Sequence, residues 1–239
     1  MQTWKTNNGY LITRLLAGRS NVFLLSNGSR HILIDTCIGL MRRKLRRRLQ
    51  KAGVDQVDLL VITHAHFDHA NNALMVRDKF KAKVIVHEAE AEILATGGVV
   101  MISGSNPVLK ALVRLAMSTV SSLTGCNPCP YDLVVTGSYD LSAWGFNAKI
   151  IHTPGHSGGS VSVIVDDEIA IVGDTLFGIF PWTVFPPFLQ DEVQLIESWG
   201  KLLDTGCKLF LPAHGSAISR KRLEKGYGSK IGIRSEINN

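Results

Sequence analysis

Between Thr63 and His69 the chain reads THAHFDH, which places three imidazoles and a carboxylate within six residues. Imidazole nitrogen and carboxylate oxygen are the donors that zinc and its first-row neighbours prefer, and a catalytic metal site keeps one position open for water. Ordinary surface histidines after a strand would be the plain alternative. Against it, three further segments carry the same donor types: TPGH ending at His156, GDT around Asp174, and PAHG around His214. His64 and His66 alternate to one side of their loop, while Asp68 and His69 open the next element. Two groups of donors facing one hollow would hold two metal ions.

Donors this far apart in sequence need a rigid frame. Val57 to Thr63 (VDLLVIT) is an aliphatic, β-branched run of strand length, so it reads as a buried strand with the ligands on the loop at its end. Ala148 to His152, Ile169 to Val172 and Lys208 to Leu211 are similar runs, and each precedes one of the other donors. Gathering ligands from strand ends is how an α/β scaffold builds a rigid pocket. Leu11 to Arg14, Val22 to Ser26 and His31 to Asp35, separated by turn residues such as Asn27-Gly28-Ser29, predict a β meander.

These combined motifs, from Ser26-Asn27 and Leu33-Ile34-Asp35-Thr36 through to His214, resemble the metallo-β-lactamase superfamily over nearly the whole chain. The resemblance implies a four-layer αββα sandwich. It puts His64, His66 and His156 on one metal, Asp68, His69 and His214 on the other, and Asp174 between them. A carboxylate at position 174 resembles the family's thioesterases, lactonases and phosphodiesterases rather than its β-lactamases proper. Implied with it are two transition-metal ions, zinc foremost with iron or manganese as alternatives, and a hydrolase that attacks through a metal-bridging hydroxide. Two ions about 3.5 to 4 Å apart lower the pKa of such a water and polarise the oxygen it attacks. Asp68 is the expected acid/base residue, able to orient the nucleophile and pass a proton to the leaving group. A phosphodiesterase or nuclease, and an iron-dependent oxidoreductase, are the alternatives within the same superfamily. Glyoxalase II shares the ligand set, but only 25 residues follow His214, so its glutathione-binding helical domain is not expected here in that form.

Three positions depart from the family pattern. Asn71 and Asn72 follow His69 where glycines are usual, Cys37 follows Asp35-Thr36 where glycine is frequent, and Ala213 precedes His214 in place of glycine. Asparagine tolerates a left-handed backbone, so the loop after His69 is expected to form through that conformation. Cys37 is a candidate for contact with the site.

At 239 residues, with 45% hydrophobic content, the chain suits one α/β domain spanning 1–239, with a helical, lid-like insertion at about 88–131. No signal peptide and no membrane-spanning stretch is read, so a cytoplasmic location is expected. Four cysteines are too few for a disulfide framework, and Cys126-Asn127-Pro128-Cys129 reads as a tight turn rather than half a zinc site. Ile38 to Gly53 predicts a helix with seven cations, its Leu40, Leu45 and Leu49 turned inward and the charges solvated, with nucleic acid, a phosphorylated substrate or an anionic membrane surface as the alternative partners of so dense a basic run. It lacks aromatic residues to stack bases, which argues against nucleic acid as a partner despite the net charge of +6. Pro107 to Leu123 predicts an apolar insertion helix. The aromatic loop after Asp174 supplies the substrate-binding candidates Phe177, Phe180, Trp182 and Phe185 for a small molecule with an apolar portion. Asp191 to Leu203 predicts an amphipathic helix, and the chain is expected to end in a polar tail with only a short helix.

Overall fold

The computed structural model describes residues 1–99, 103–104 and 125–237. Strands β1 (Gln2–Lys5), β2 (Leu11–Leu16), β3 (Val22–Ser26) and β4 (His31–Ile34) form the expected antiparallel meander, and β5 (Leu59–Val61) and β6 (Lys83–His87) continue it in parallel. A short β7 (Ser103–Gly104) stands outside this sheet, and β8 (Leu133–Val135) completes it beside β6. The second sheet is built from β9 (Ser138–Asp140), β10 (Ala148–His152), β11 (Val161–Val165), β12 (Ile169–Gly173), β14 (Leu209–Pro212) and β15 (Ile218–Ser219). Between β12 and β14 comes β13 (Phe188–Leu189), which pairs with β7.

Neighbouring residues in these strands point to opposite faces, and both faces are apolar because both are covered. Ile32, Ile34, Leu59, Val61 and Ile85 of the first sheet meet Ile150, Val163, Val165 and Ile171 of the second in a core between the sheets. Their neighbours Leu33, Leu60, Val84 and Val86 face outward onto the helices α1 (Arg42–Lys51), α3 (Ala73–Phe80) and α4 (Glu88–Thr96). On the far side Ala170, Val172 and Phe210 pack against α5 (Glu192–Asp204) and α6 (Arg220–Ile237). Three apolar layers thus join helices, sheet, sheet and helices into the αββα sandwich. A short α2 (Phe67–Ala70) follows β5 at the edge of this stack.

Three expectations change. The basic helix begins at Arg42 after a 3-10 turn at Gly39–Met41, and Leu40 in that turn is 92% exposed rather than inward; Leu45 and Leu49, one helical turn apart, are the residues that anchor it. The C-terminal helix runs 18 residues, not a short segment. Among the described side chains those facing the core are Leu223 and Tyr227, and Gly226, Gly228 and Gly232 lie among them and beyond, so the helical periodicity is faint in the sequence. Asn71 and Asn72 both keep negative φ, and the left-handed residues are instead Asp35 and Cys37, at φ 61° and 62°. The expected helix from Pro107 to Leu123 lies outside the described residues. Among the described residues, no helix is long and apolar enough to cross a membrane.

Candidate metal centre

Every candidate ligand leaves the same edge of the sandwich. His64 and His66 follow β5, Asp68 and His69 lie in α2, and His156, Asp174 and His214 follow β10, β12 and β14. The two sheets are stitched together there: the Val161 amide donates to Thr63 O at 2.9 Å, and the Asn21 side chain donates to Pro212 O at 2.9 Å and Gly215 O at 3.0 Å. Gly173 sits at φ 51°, and a Cβ on it would lie 2.8 Å from Thr63 Oγ1, so only glycine lets β12 deliver Asp174 this close to the first sheet.

All seven side chains converge. The ligand atoms of His64, His66 and His156 lie within 4.8 Å of one another, as do those of His64, His69 and Asp174, and those of Asp68, His69 and His214. His156 Nε2 is 3.0 Å from His66 Nδ1. Asp174 reaches across both sets, 3.6 Å from the Nε2 atoms of His69 and His156 and 3.3 Å from that of His214. Asp68 lies 3.3 Å from His214 Nε2 and 3.7 Å from His69 Nε2, and its carboxylate is the most exposed of these ligands, at 19%.

The rings are aimed from behind. His69 Nδ1 pairs with Asp35 Oδ2 at 2.8 Å, His156 Nδ1 donates to Phe188 O at 2.8 Å, and His64 Nδ1 lies 3.1 Å from Thr63 Oγ1. These contacts leave Nε2 of each ring facing the cluster. His64 Nε2, His66 Nε2, His69 Nε2 and Asp174 Oδ1 are buried and have no hydrogen-bond partner among the described residues. Orphaned polar atoms at this density are costly unless a cation takes them up, so the residues present fit metal ions.

The electrostatics point the same way. Burial, reinforced by neighbouring imidazoles, holds His64 well below the ordinary histidine value and His66 down to about 3, so both are neutral and ready to ligate. Burial would lower His69 and His214 too, but Asp174 and Asp68 outweigh it and raise them to about 9 and about 11. Burial would raise the Asp174 carboxyl, yet His214 and His69 hold it far below the usual carboxylate range. His69 and His214 thus face the same two carboxylates that a bound metal ion would balance.

Two further residues support the centre, Glu90, which the sequence does not single out, and Asn72, whose side chain does the work. Glu90, on α4, is buried, and its carboxylate accepts from the Ala65 amide between His64 and His66, from the Ser157 hydroxyl beside His156, and from the Gly159 amide at 3.2 Å. It ties the two ligand loops to one another. Asn72 donates from its side-chain amide to the carbonyls of Thr36, Cys37 and Ile38 at 2.8 to 3.1 Å, which holds the loop carrying Asp35. Nothing in the run Glu88-Ala89-Glu90-Ala91-Glu92 singles out its middle glutamate; only burial does.

The other expected residues are dispersed. Phe177 is buried and stacks on His214, with ring centroids 4.8 Å apart. Phe180 and Trp182 pair with each other at the surface, and Trp182 is 78% exposed. Phe185 turns away, edge-on to Trp199 and beneath the Lys230 ammonium, because the third core offers it a closer apolar partner. The Cys37 side chain packs in the first core and joins none of the ligand groups. Cys126 and Cys129 are free and buried, and burial pushes the Cys129 thiol up to about 12, so neither is a reactive thiolate. His87 caps α4 and stacks on His152 at 3.9 Å. Within 88–131, Ser103–Gly104 of β7 pairs with β13, whose Phe188 carbonyl accepts from His156.

The chain matches the metallo-beta-lactamase superfamily over residues 15–214. It is 30% identical over 208 residues to a probable metallo-hydrolase of Methanocaldococcus jannaschii, covering 84% of this chain and 90% of that protein. It is 23% identical over 201 residues to an atrochrysone carboxyl ACP thioesterase of Aspergillus fumigatus, covering 83% of this chain and 51% of the relative. The structure superposes on a metallo-beta-lactamase superfamily protein from Sulfolobus tokodaii with a TM-score of 0.65 at 23% identity, covering 92% of this chain and 86% of the other. The chain belongs to the metallo-beta-lactamase superfamily of metal-dependent hydrolases.

Proposed function

We propose that the protein is a dinuclear metal-dependent hydrolase of an ester, thioester or lactone with an apolar portion. His64, His66 and His156 would hold one ion, Asp68, His69 and His214 the other, and Asp174 would serve both. The observation that carries this reading is the position of Asp174, buried and within 3.3 to 3.6 Å of imidazoles from both sets. Zinc suits the nitrogen and oxygen donors best, with iron or manganese as alternatives. Two ions bound there supply Lewis acidity toward the scissile carbonyl and a water activated at neutral pH.

The protein's own groups then divide the remaining work. Asp68 is the one carboxylate of the set with a solvent-facing side, so it orients the attacking water and returns a proton to the departing oxygen or sulfur. Asp35 and the Phe188 carbonyl keep the rings aimed and Glu90 ties their loops together, so little reorganisation is needed during reaction. Phe177, stacked on His214, gives the centre an apolar flank, and the Aspergillus thioesterase supports an acyl substrate by analogy.

Covering one apolar side chain's worth of acyl group is worth about 1.5 to 3 kcal/mol. That predicts a preference of roughly tenfold or more for long acyl chains over short ones. Rates on esters and lactones differing only in chain length test it. A flat profile, or phosphodiesters outpacing them all, would refute the substrate class.

A further inference from the structure

The basic helix α1 carries six exposed cations, Arg42, Arg43, Lys44, Arg46, Arg47 and Lys51, and among the described residues none of them forms an ion pair with a carboxylate. Beside it lies a cavity of about 670 Å³ whose lining combines the apolar Leu74 and Met75 with the cations Arg42, Arg46 and Lys79 and one acid, Asp78. At the head of the helix Leu40 stands 92% exposed, and Leu74 is 39% exposed. From these features we propose that this face docks on an anionic phospholipid surface.

Each feature matches that occupant. The cations complement a negatively charged headgroup layer, the exposed Leu40 can enter the acyl boundary, and a cavity lined by both cations and apolar side chains suits an anionic head on an apolar body. Nucleic acid fits less well, since neither the helix nor the cavity offers an aromatic ring for base stacking, and Leu40 would be left in water. The face also adjoins the metal centre. Arg42 Nε donates to Asn72 Oδ1 at 3.3 Å, Asn72 holds the Thr36 carbonyl, and the Thr36 amide donates to His69 O at 2.7 Å. A membrane so bound would lie beside the edge from which the ligands project.

The test is flotation of the full chain, loaded with metal, on vesicles of phosphatidylcholine alone and of phosphatidylcholine with phosphatidylglycerol, at low and high salt. Binding is expected only with the anionic lipid and should fall as salt rises, because headgroup attraction fades within a Debye length. Reversing three charges together (R43E, R46E, R47E) should lower partitioning on the order of a hundredfold. Leu40→Asp should lower it roughly tenfold or more while the remaining binding stays salt-dependent. All four sites are exposed, so circular dichroism and metal content should match the wild type. No binding to anionic vesicles at low salt, equal binding to neutral vesicles, undiminished binding by the triple variant, or tight duplex DNA binding without vesicle binding would each overturn the proposal.

Discussion

The ligand cluster and the aromatic loop that follows Asp174 lie side by side, yet they are built on opposite rules. In the cluster, hydrogen bonds fix where the rings point, Asp35 behind His69 and the Phe188 carbonyl behind His156, while Glu90 ties the ligand loops together. Along the loop, four aromatic residues take three different directions: Phe177 inward onto His214, Phe180 and Trp182 outward, Phe185 backward onto Trp199. Where buried polar atoms must be satisfied, geometry is over-determined. Where only apolar contact is at stake, each ring turns to whichever surface lies nearest.

The sharpest way to break the contrast is at its centre. Asp174→Ala removes the carboxylate that both ligand sets share, and loss of several kcal/mol of charge stabilisation should lower kcat/KM by about a thousandfold or more. Metal content should fall first at the set holding Asp68, since the other retains three histidines. A variant that kept most of its activity would contradict the reading of Asp174.

Glu90→Ala comes next. It touches no candidate ligand side chain but strips partners from Ala65, Ser157 and Gly159, so metal affinity and activity should each drop about 10- to 100-fold. Glu90→Gln, which keeps one acceptor oxygen, should recover part of both. If titration with zinc showed unchanged affinity in the alanine variant, Glu90 would be mere packing.

The loop can be divided by two substitutions. Phe177→Ala should reduce kcat/KM for long acyl substrates roughly tenfold and flatten the chain-length profile. Trp182→Ala, at an exposed position, should change it by no more than about twofold. A larger effect from Trp182 would mean that the outward half of the loop, not Phe177, faces the substrate.

The smallest effect belongs to neither region. Burial and the neighbouring His152 lower His87 from 6.5 to about 4, so folding favours its neutral form. Its contribution is complete above pH 6.5 and is lost as pH falls towards about 4, where the folded protein also takes up the proton. The thermal midpoint should decline through that window. The decline should be shallower in His87→Asn, which keeps an acceptor for the Ala89 amide. An identical profile for the variant would assign the acid sensitivity elsewhere.

These differences mark what a sequence can carry. The strands were legible because runs such as VDLLVIT and KVIVH are apolar on both faces, as a strand between two cores must be. The ligands were legible because few structural roles call for imidazoles and carboxylates at strand ends. Glu90 was hidden because Glu88, Glu90 and Glu92 look alike until the fold buries one of them. Leu40 misled because it was grouped with Leu45 and Leu49 by residue type alone: five and nine residues away, it lies roughly 140° and 180° round a helix from them, and in the 3-10 turn it stands in solvent. Asn72 was read for its backbone, but it acts through its side-chain amide, replacing glycine's flexibility with three hydrogen bonds.

The central claim is that seven side chains hold two ions. Elemental analysis of protein saturated with zinc and freed of excess metal tests it most directly. Two ions per chain in the wild type, falling towards one in Asp174→Ala, is the predicted result. One ion or fewer per chain in the wild type would contradict it.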